Sequence, residues 1–396
     1  MRVALLAVLC AVLGAAAALG LGDATGLLGG STTETVVVRQ PAAPTAAPTA
    51  RVTQPLPAVA GPGFSAARIF ADRSPGVVTV FAYFGGVGAQ GSGFVVSRDG
   101  TILTNAHVIT NAGAAGPGAT VKPASEVYVE FGDHDRVPAA VVGWDVFDDV
   151  GVIRVKAAGH RLMPLPLGRS ADVVVGAPVA AIGSPLGNEN SLAVGVVSAV
   201  GRSIAALTAP HFQLVDAIQT DAPITHGSSG GPLLDARGSV IGITAQIRSE
   251  SGGSAGIGFA VPIDAARRSL HALLAHGRVE YAYAGVTTQD LTPSLARRLG
   301  LRASHGALVD RVTAGGPAAR AGVRGGSHEI EFEGESIVTG GDVVLALDGI
   351  PVRTSDDLVR IVTNQLRPGE TAVLTVLRAG HRRTIAVKLV PRPLNP

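Results

Sequence analysis

The chain has 396 residues, more than one ordinary hydrophobic core holds, so two domains plus additional segments are expected. Hydrophobic residues make up 46% and charged residues 16%, and the 52 Gly and 25 Pro favour a turn-rich, strand-rich fold over long charged surface helices. The net charge is +2, from 32 basic and 30 acidic residues without a long Lys/Arg run, which argues against nucleic acid as a partner. Cys10 is the only cysteine, so the rest of the chain has no disulfide, no thiolate nucleophile and no Cys-based metal site.

Residues 3–22 carry no charge and follow Arg2. A helix of that length just spans a bilayer core of about 30 Å, while the alanines at 15–18 also suit a signal-peptide cleavage site. Residues 1–22 are therefore read as a signal peptide or a transmembrane anchor. Both export the remainder of the chain: a cleaved signal gives a secreted or periplasmic protein, an anchor gives a single-pass membrane protein with an extracytoplasmic body. Lipidation of Cys10 is not expected, because Leu9 is bulky where such signals need a small residue. Residues 23–63 are rich in Ala, Thr, Pro and Gly and include PAAPTAAPTA at 41–50. Such a stretch buries too little apolar surface to fold and should act as a semi-rigid linker.

From Phe64 onward short β-rich runs recur between turn signals: VVTVFAYF (77–84), GFVVS (93–97), EVYVEF (126–131), AAVVGW (139–144), VGVIRV (150–155), PVAAIG (178–183), VGVVSAVG (194–201), SVIGITAQI (239–247) and IGFAVP (257–262). This spacing predicts a mainly β sandwich or barrel. A helical turn is predicted just after His107 and a helix over 263–276. Residues 64–276 are thus one unit, 277–283 a hinge, and 284–396 a second, α+β unit. In that second unit strands are predicted at 306–312, 342–349, 371–380 and 382–390, with amphipathic helices at 293–299 and 355–366. The latter places Leu358, Ile361, Val362 and Leu366 on one face at i, i+3, i+4 and i+8.

Three strings carry chemistry. In Gly227-Ser228-Ser229-Gly230-Gly231-Pro232-Leu233 the glycines let the backbone turn sharply and present a serine Oγ, and the N–H groups of Gly227 and Ser229 can form an oxyanion hole. A hydroxyl is a poor nucleophile at neutral pH, so a base must lie within hydrogen-bond reach. The strand TILTNA ends in His107 at the start of a helical turn, where an imidazole can be fixed. Asp149, immediately before an apolar strand, can be buried and hold the histidine tautomer through Nδ1–H. Each string alone has a bland reading as a turn, a surface histidine or a loop acid. Together their order is His, Asp, Ser, with spacings of 42 and 80 residues, as in two-barrel chymotrypsin architectures and not as in subtilisins or α/β-hydrolases.

On these residues the chain resembles the HtrA/Deg family, a chymotrypsin-like double six-stranded β-barrel followed by a single C-terminal PDZ domain. The matching strings are GSGFVVSRDGTILTNAHVI (91–109), DVGVIRV (149–155), AIGSPLGNENSLAVGVVSAVGRS (181–203), IQTDAPITHGSSGGPLLD (218–235) and GIGFAVPID (256–264). The resemblance implies ATP-independent serine endopeptidase activity on unfolded or damaged exported proteins, a quality-control role, with His107, Asp149 and Ser229 as catalytic residues. The family's Gly-Asn-Ser-Gly-Gly register selects Ser229 over Ser228. Ser228 stands where the family has Asn, and Thr225-His226 where it has Asn-Pro, departures that bear on how readily this loop collapses. By the same register Ile224, Gln246 and Ile247 line the substrate pocket, which suits a small or medium aliphatic residue, and Tyr283-Ala284-Gly285-Val286 form the PDZ loop that receives a peptide's terminal carboxylate. Residues 326–340 are an insert, expected to be a β-hairpin. The short segment 83–91 implies a simple homotrimer, with Phe64, Ile69 and Phe70 as candidate contacts or core residues. No metal or cofactor is expected, and the membrane is a partner only through the N-terminal segment. The alternatives are a proteolytically silent chaperone or peptide-binding scaffold, and an esterase using the same triad.

Overall fold

The computed structural model describes residues 63–113, 120–156, 159–184, 190–205, 208, 213–225, 227–245 and 257–393. The 1–22 segment, all of the 23–63 linker except Gly63, His226, Gln246 and Ile247 lie outside them. Among the described residues no helix is long and apolar enough to cross a membrane.

Helix α1 (Ala66–Arg73) opens the folded part, with the Ser65 hydroxyl accepting from the Arg68 amide at its N-cap. Ile69 is buried in the core, and Phe64 and Phe70 pack against the same cluster. Of the three candidate contact or core residues Ile69 is core, while Phe64 and Phe70 pack against it and stay partly exposed.

Six strands follow: β1 (Val77–Phe84), β2 (Val87–Val95), β3 (Thr101–Thr104), β4 (Glu126–Glu130), β5 (Arg136–Asp145) and β6 (Val150–Val155), with a single helical turn α2 (Ala106–Ile109) between β3 and β4. They close in the order β1-β2-β3-β6-β5-β4. Alternate side chains point inward along a strand, and Val78, Val80, Val95, Ile102, Val129 and Ile153 fill this barrel. A second set, β7 (Pro178–Gly183), β8 (Ser191–Ala205), β9 (Gln213–Thr220), β10 (Pro232–Leu234), β11 (Val240–Ala245) and β12 (Gly258–Pro262), closes in the order β10-β11-β12-β9-β8-β7. Val179, Val197, Ile218, Leu233 and Ile241 fill it. A larger cluster, including Phe94, Leu103, Val152, Ile182 and Ile243, cements the barrels together.

Helix α3 (Ile263–His276) occupies the predicted span and buries Ile263, Ala266, Leu270 and Leu273 along one face. It stops at Gly277, which adopts a left-handed φ of 69°. The predicted hinge, 277–283, is not a bare tether: Val279 and Tyr281 pack against Phe147 and Trp144.

The C-terminal unit has α4 (Pro293–Arg298), α5 (Pro317–Arg320) and α6 (Ser355–Gln365) around a sheet. Its strands are β13 (Ala282–Tyr283), β14 (Val286–Asp290), β15 (Ala307–Val312), β16 (His328–Phe332), β17 (Glu335–Thr339), β18 (Val343–Leu347), β19 (Ile350–Pro351), β20 (Thr371–Arg378), β21 (His381–Lys388) and β22 (Val390–Pro391). The main sheet runs β14-β15-β18-β20-β21, leaving β14 at its edge, while β16 and β17 form the hairpin expected of the insert. β13 pairs β22, which brings the two ends of the unit together. Thr354 and Asp357 form a capping box on α6, whose Leu358, Ile361 and Val362 are buried as the sequence pattern requires.

Candidate active site

His107 sits in α2, one residue beyond its start, and is half-buried; Asp149 is buried in the turn entering β6. Between β3 and α2 the Asn105 side chain donates to the Asp149 carbonyl at 2.8 Å, and the Ala106 amide donates to the same carbonyl at 3.2 Å. Asp149 adopts φ +52°, a strained conformation for a residue with a side chain. Its carboxylate engages one residue twice: Oδ1 accepts the His107 backbone amide at 3.0 Å and Oδ2 lies 2.7 Å from His107 Nδ1. That fixes the Nδ1–H tautomer and leaves Nε2 as the ring's acceptor nitrogen. Burial draws the His107 pKa down, but the Asp149 charge and hydrogen bond outweigh it and hold it above the ordinary 6.5.

Ser229 is buried on the loop before β10. Its carbonyl accepts the Ser92 amide of β2 at 2.7 Å, and the Ser92 hydroxyl donates to the Gly227 carbonyl at 2.6 Å while accepting the Ser184 amide at 2.9 Å. Thr244 Oγ1 donates to the Ser228 carbonyl at 2.6 Å. The first barrel thus grips the second barrel's loop directly. Gly91 makes the approach explicit, because a Cβ there would meet Val108, the neighbour of His107, at 2.6 Å and the Ser229 carbonyl at 3.0 Å. The sequence needs glycine at 230 for a related reason: φ is +90° and a Cβ would strike the Ser92 carbonyl at 2.1 Å. Gly227 also has φ +90°. Of the residues expected to line a substrate pocket, Ile224 is buried beside Gly258, and Gln246 and Ile247 lie outside the described residues.

In the PDZ loop Gly285 has φ +75°. The Ala284 carbonyl accepts the Ala318 amide at 2.9 Å and the Gly285 carbonyl accepts the Thr313 amide at 3.0 Å, while Tyr283 and Thr313 hydroxyls lie 3.0 Å apart. These bonds fix the turn that leads into β14, beside α6.

The structure adds residues that sequence reasoning passed over. Ser92, Thr104 and Thr244 organise the serine loop, and the sequence singled out none of them for that role. Asp145 and Asp148, which precede Asp149 in the same turn, are buried and share the Tyr281 hydroxyl. Arg360 and Asn364 of α6 both bind Asp216 of β9, at 2.6 and 2.9 Å. Among the described residues no group of three His, Cys, Asp or Glu side chains could hold a metal ion.

Two closed antiparallel barrels, with a histidine–aspartate pair from the first and a glycine-flanked serine loop from the second, define a chymotrypsin-like fold, here followed by a PDZ domain. Residues 91–243 match the family described as "Trypsin-like peptidase domain" and residues 282–389 the family described as "PDZ domain". The solved structure "HtrA-type protease AlgW with tripeptide" is similar with a TM-score of 0.68 and 32% identity, over 83% of this chain and 98% of that one. A serine endoprotease from Yersinia pestis has a TM-score of 0.59 and 26% identity, over the same shares of the two chains. A "Probable periplasmic serine endoprotease DegP-like" of Pseudomonas fulva (strain 12-X) is 38% identical over 305 residues, 77% of this chain and 56% of that protein. The chain spans about half the length of the curated relatives of this kind. The chain belongs to the HtrA family of trypsin-like serine proteases that carry a C-terminal PDZ domain.

Proposed function

We propose that the protein is a serine endopeptidase that cleaves unfolded or damaged exported proteins through an acyl-enzyme. Ser229 Oγ attacks the scissile carbonyl while His107 Nε2 takes its proton. His107 then passes that proton to the leaving amine, and a water activated by the same imidazole releases the acyl group. Asp149 orients the ring and stabilises the imidazolium, and the Gly227 and Ser229 N–H groups stabilise the oxyanion. The observation that carries this reading is the double engagement of Asp149 with His107, at 3.0 and 2.7 Å, beside a serine loop bound to β2.

Ile224, with Gln246 and Ile247, is assigned to a pocket for a small or medium aliphatic residue. The 283–286 loop receives a peptide's C-terminal carboxylate, and the peptide adds as a strand to the β14 edge, an assignment favoured by that edge's position in the sheet. Relatives named as periplasmic favour an extracytoplasmic location, with residues 1–22 acting as an anchor or a cleaved signal. The anchor requires the full chain to pellet with membranes and resist carbonate; a soluble mature N-terminus near residues 18–25 contradicts it. Homotrimerisation is inferred from family membership, and sedimentation of the folded part tests it. The decisive assay for the activity is casein hydrolysis by the protein and by Ser229→Ala. Cleavage only by the former supports the peptidase; absence of cleavage by both favours the silent scaffold, and turnover of small esters alone favours an esterase.

A further inference from the structure

The turn joining β5 to β6 contains a buried acidic pair that the hydrolytic steps leave unused. Tyr281 Oη lies 2.5 Å from Asp145 Oδ2 and 2.7 Å from Asp148 Oδ2. A phenol has one proton to donate. It can serve one carboxylate, so the second contact needs a proton on the other carboxyl, donated back to the phenol oxygen. The surroundings say which acid holds it. Asp145 already accepts the Phe147 and Asp148 amides on Oδ1, at 2.9 and 3.3 Å, and the Ser269 hydroxyl on Oδ2 at 2.7 Å, the pattern of an anion. Asp148 has the Tyr281 contact and Arg268 at 3.8 Å. Burial and the Asp145 charge push Asp148 up to about 6.

The charged and titratable groups facing the pair come from every side. Arg268 and Ser269 belong to α3, and Arg392 follows β22, beside Tyr283. The Arg392 amide donates to the Tyr281 carbonyl at 2.8 Å, and its guanidinium lies 5.6 Å from the ring centroids of Phe147 and Tyr281. Its Nη2 also donates to Thr363 Oγ1 of α6 at 3.2 Å. The Thr208 hydroxyl donates to the Val146 carbonyl within the same turn. These contacts hold residues 145–148, directly before Asp149, whose left-handed backbone persists only if its surroundings over-determine it.

We propose that Tyr281 is a positioning residue for hydrolysis: by clasping Asp145 and Asp148 it sets the turn that presents Asp149 to His107, so the segment entering the PDZ domain also holds the acid of the triad. This rests on the assignment of Asp149 made above. The clasp closes with one shared proton and carries two like charges once that proton leaves. The sign follows from the raised Asp148 value. The folded chain binds this proton more tightly than the unfolded chain, whose ordinary value is 3.8, so stability falls as pH climbs from about 4 to about 6 and levels off above.

The test uses the full chain. Tyr281→Phe keeps the ring against Phe147, 5.3 Å between centroids, and removes only the hydroxyl. Its kcat for peptide hydrolysis should fall on the order of tenfold, below the ~10²-fold loss that a 1 Å misplacement can produce, with KM little changed. The acid limb of its kcat–pH profile should move down toward 6.5, because a loosened Asp149 no longer raises His107. In a second variant, Asp148→Asn, the fall in melting temperature between pH 4 and 6 should shrink to what Asp145 contributes, whose carboxyl burial also raises. A folded Tyr281→Phe with native kcat and an unmoved acid limb overturns the proposal, as does an Asp148→Asn melting curve with the native pH dependence. Should Tyr281→Phe not fold, the Asp148→Asn curve decides. Fluorophosphonate labelling of the native protein separates the two claims. Unlabelled Ser229 removes the hydrolytic assignment itself, whereas labelled Ser229 with an unmoved Tyr281→Phe profile removes only the role of Tyr281.

Discussion

In the cleft between the barrels, the contacts that shape the serine loop are made by neutral groups. Ser92 bonds the Gly227 carbonyl, Thr104 the Ser92 carbonyl and Thr244 the Ser228 carbonyl, each at 2.6 Å. Where the two barrels and α3 meet the PDZ domain and the segment leading into it, the contacts include ionisable groups: Asp216 of the second barrel with Arg360, Arg268 with Asp148 of the first, and Tyr281 with both Asp145 and Asp148. Hydroxyl-to-carbonyl bonds do not titrate and are insensitive to salt, so these contacts persist while the His107 imidazole beside them gains or loses its proton. The junction responds to both pH and ionic strength. The serine loop is thus held by neutral contacts, and the region between it and the PDZ domain by contacts that include titratable ones.

The largest effect that could break this contrast lies in the cleft. Ser229→Ala should lower turnover by on the order of 10⁴-fold or more, measured on a peptide substrate; a small loss would mean that the neutral frame serves some other group. Next, Ile361→Ala in the PDZ core, a buried site on α6, should destabilise that domain by about 2–5 kcal/mol in calorimetry. If the barrels melt as they did before, the two regions are separable; if both fall together, the junction carries more of the stability than its exposed ion pairs suggest. Ser92→Ala should be milder, about 1–3 kcal/mol, because it leaves the Gly227 carbonyl and Ser184 amide without their partner. Its loss should be the same in low and high salt. Asp216→Asn should be smallest, up to about 1 kcal/mol, since the Arg360 pair is about one-third exposed, and here the loss should shrink as salt is added. The acid limb of activity should lie above pH 6.5, with activity lost as pH falls through the raised His107 value and the imidazole becomes protonated.

How much the sequence reveals depends on how local each signal is. Helix α3 was legible because its apolar residues repeat at the helical period and Gly277 ends it. The order of His107, Asp149 and Ser229 was legible because each sits in a string with its own turn chemistry. Strand β9 was not, since Gln213, Asp216 and Gln219 interrupt its apolar pattern and Asp216 has φ +60°. Strand β14, Val-Thr-Thr-Gln-Asp, was missed because an edge strand has little to bury and reads as polar loop. The acidic clasp was hidden for another reason. Three acids in Asp145-Val146-Phe147-Asp148-Asp149 look alike in one dimension, and the Tyr281 that sorts them lies 136 residues from Asp145. Its place before an apolar strand singles out Asp149 in the sequence, but only the fold shows that Asp145 and Asp148 meet on Tyr281.

The most direct test is to label the native protein with a fluorophosphonate and map the adduct by peptide mass spectrometry. A single modified residue, Ser229, is predicted, with loss of the label in His107→Ala. A label on Ser228, or casein cleavage by a protein in which Ser229 remains unmodified, would contradict the assignment of Ser229 as the nucleophile.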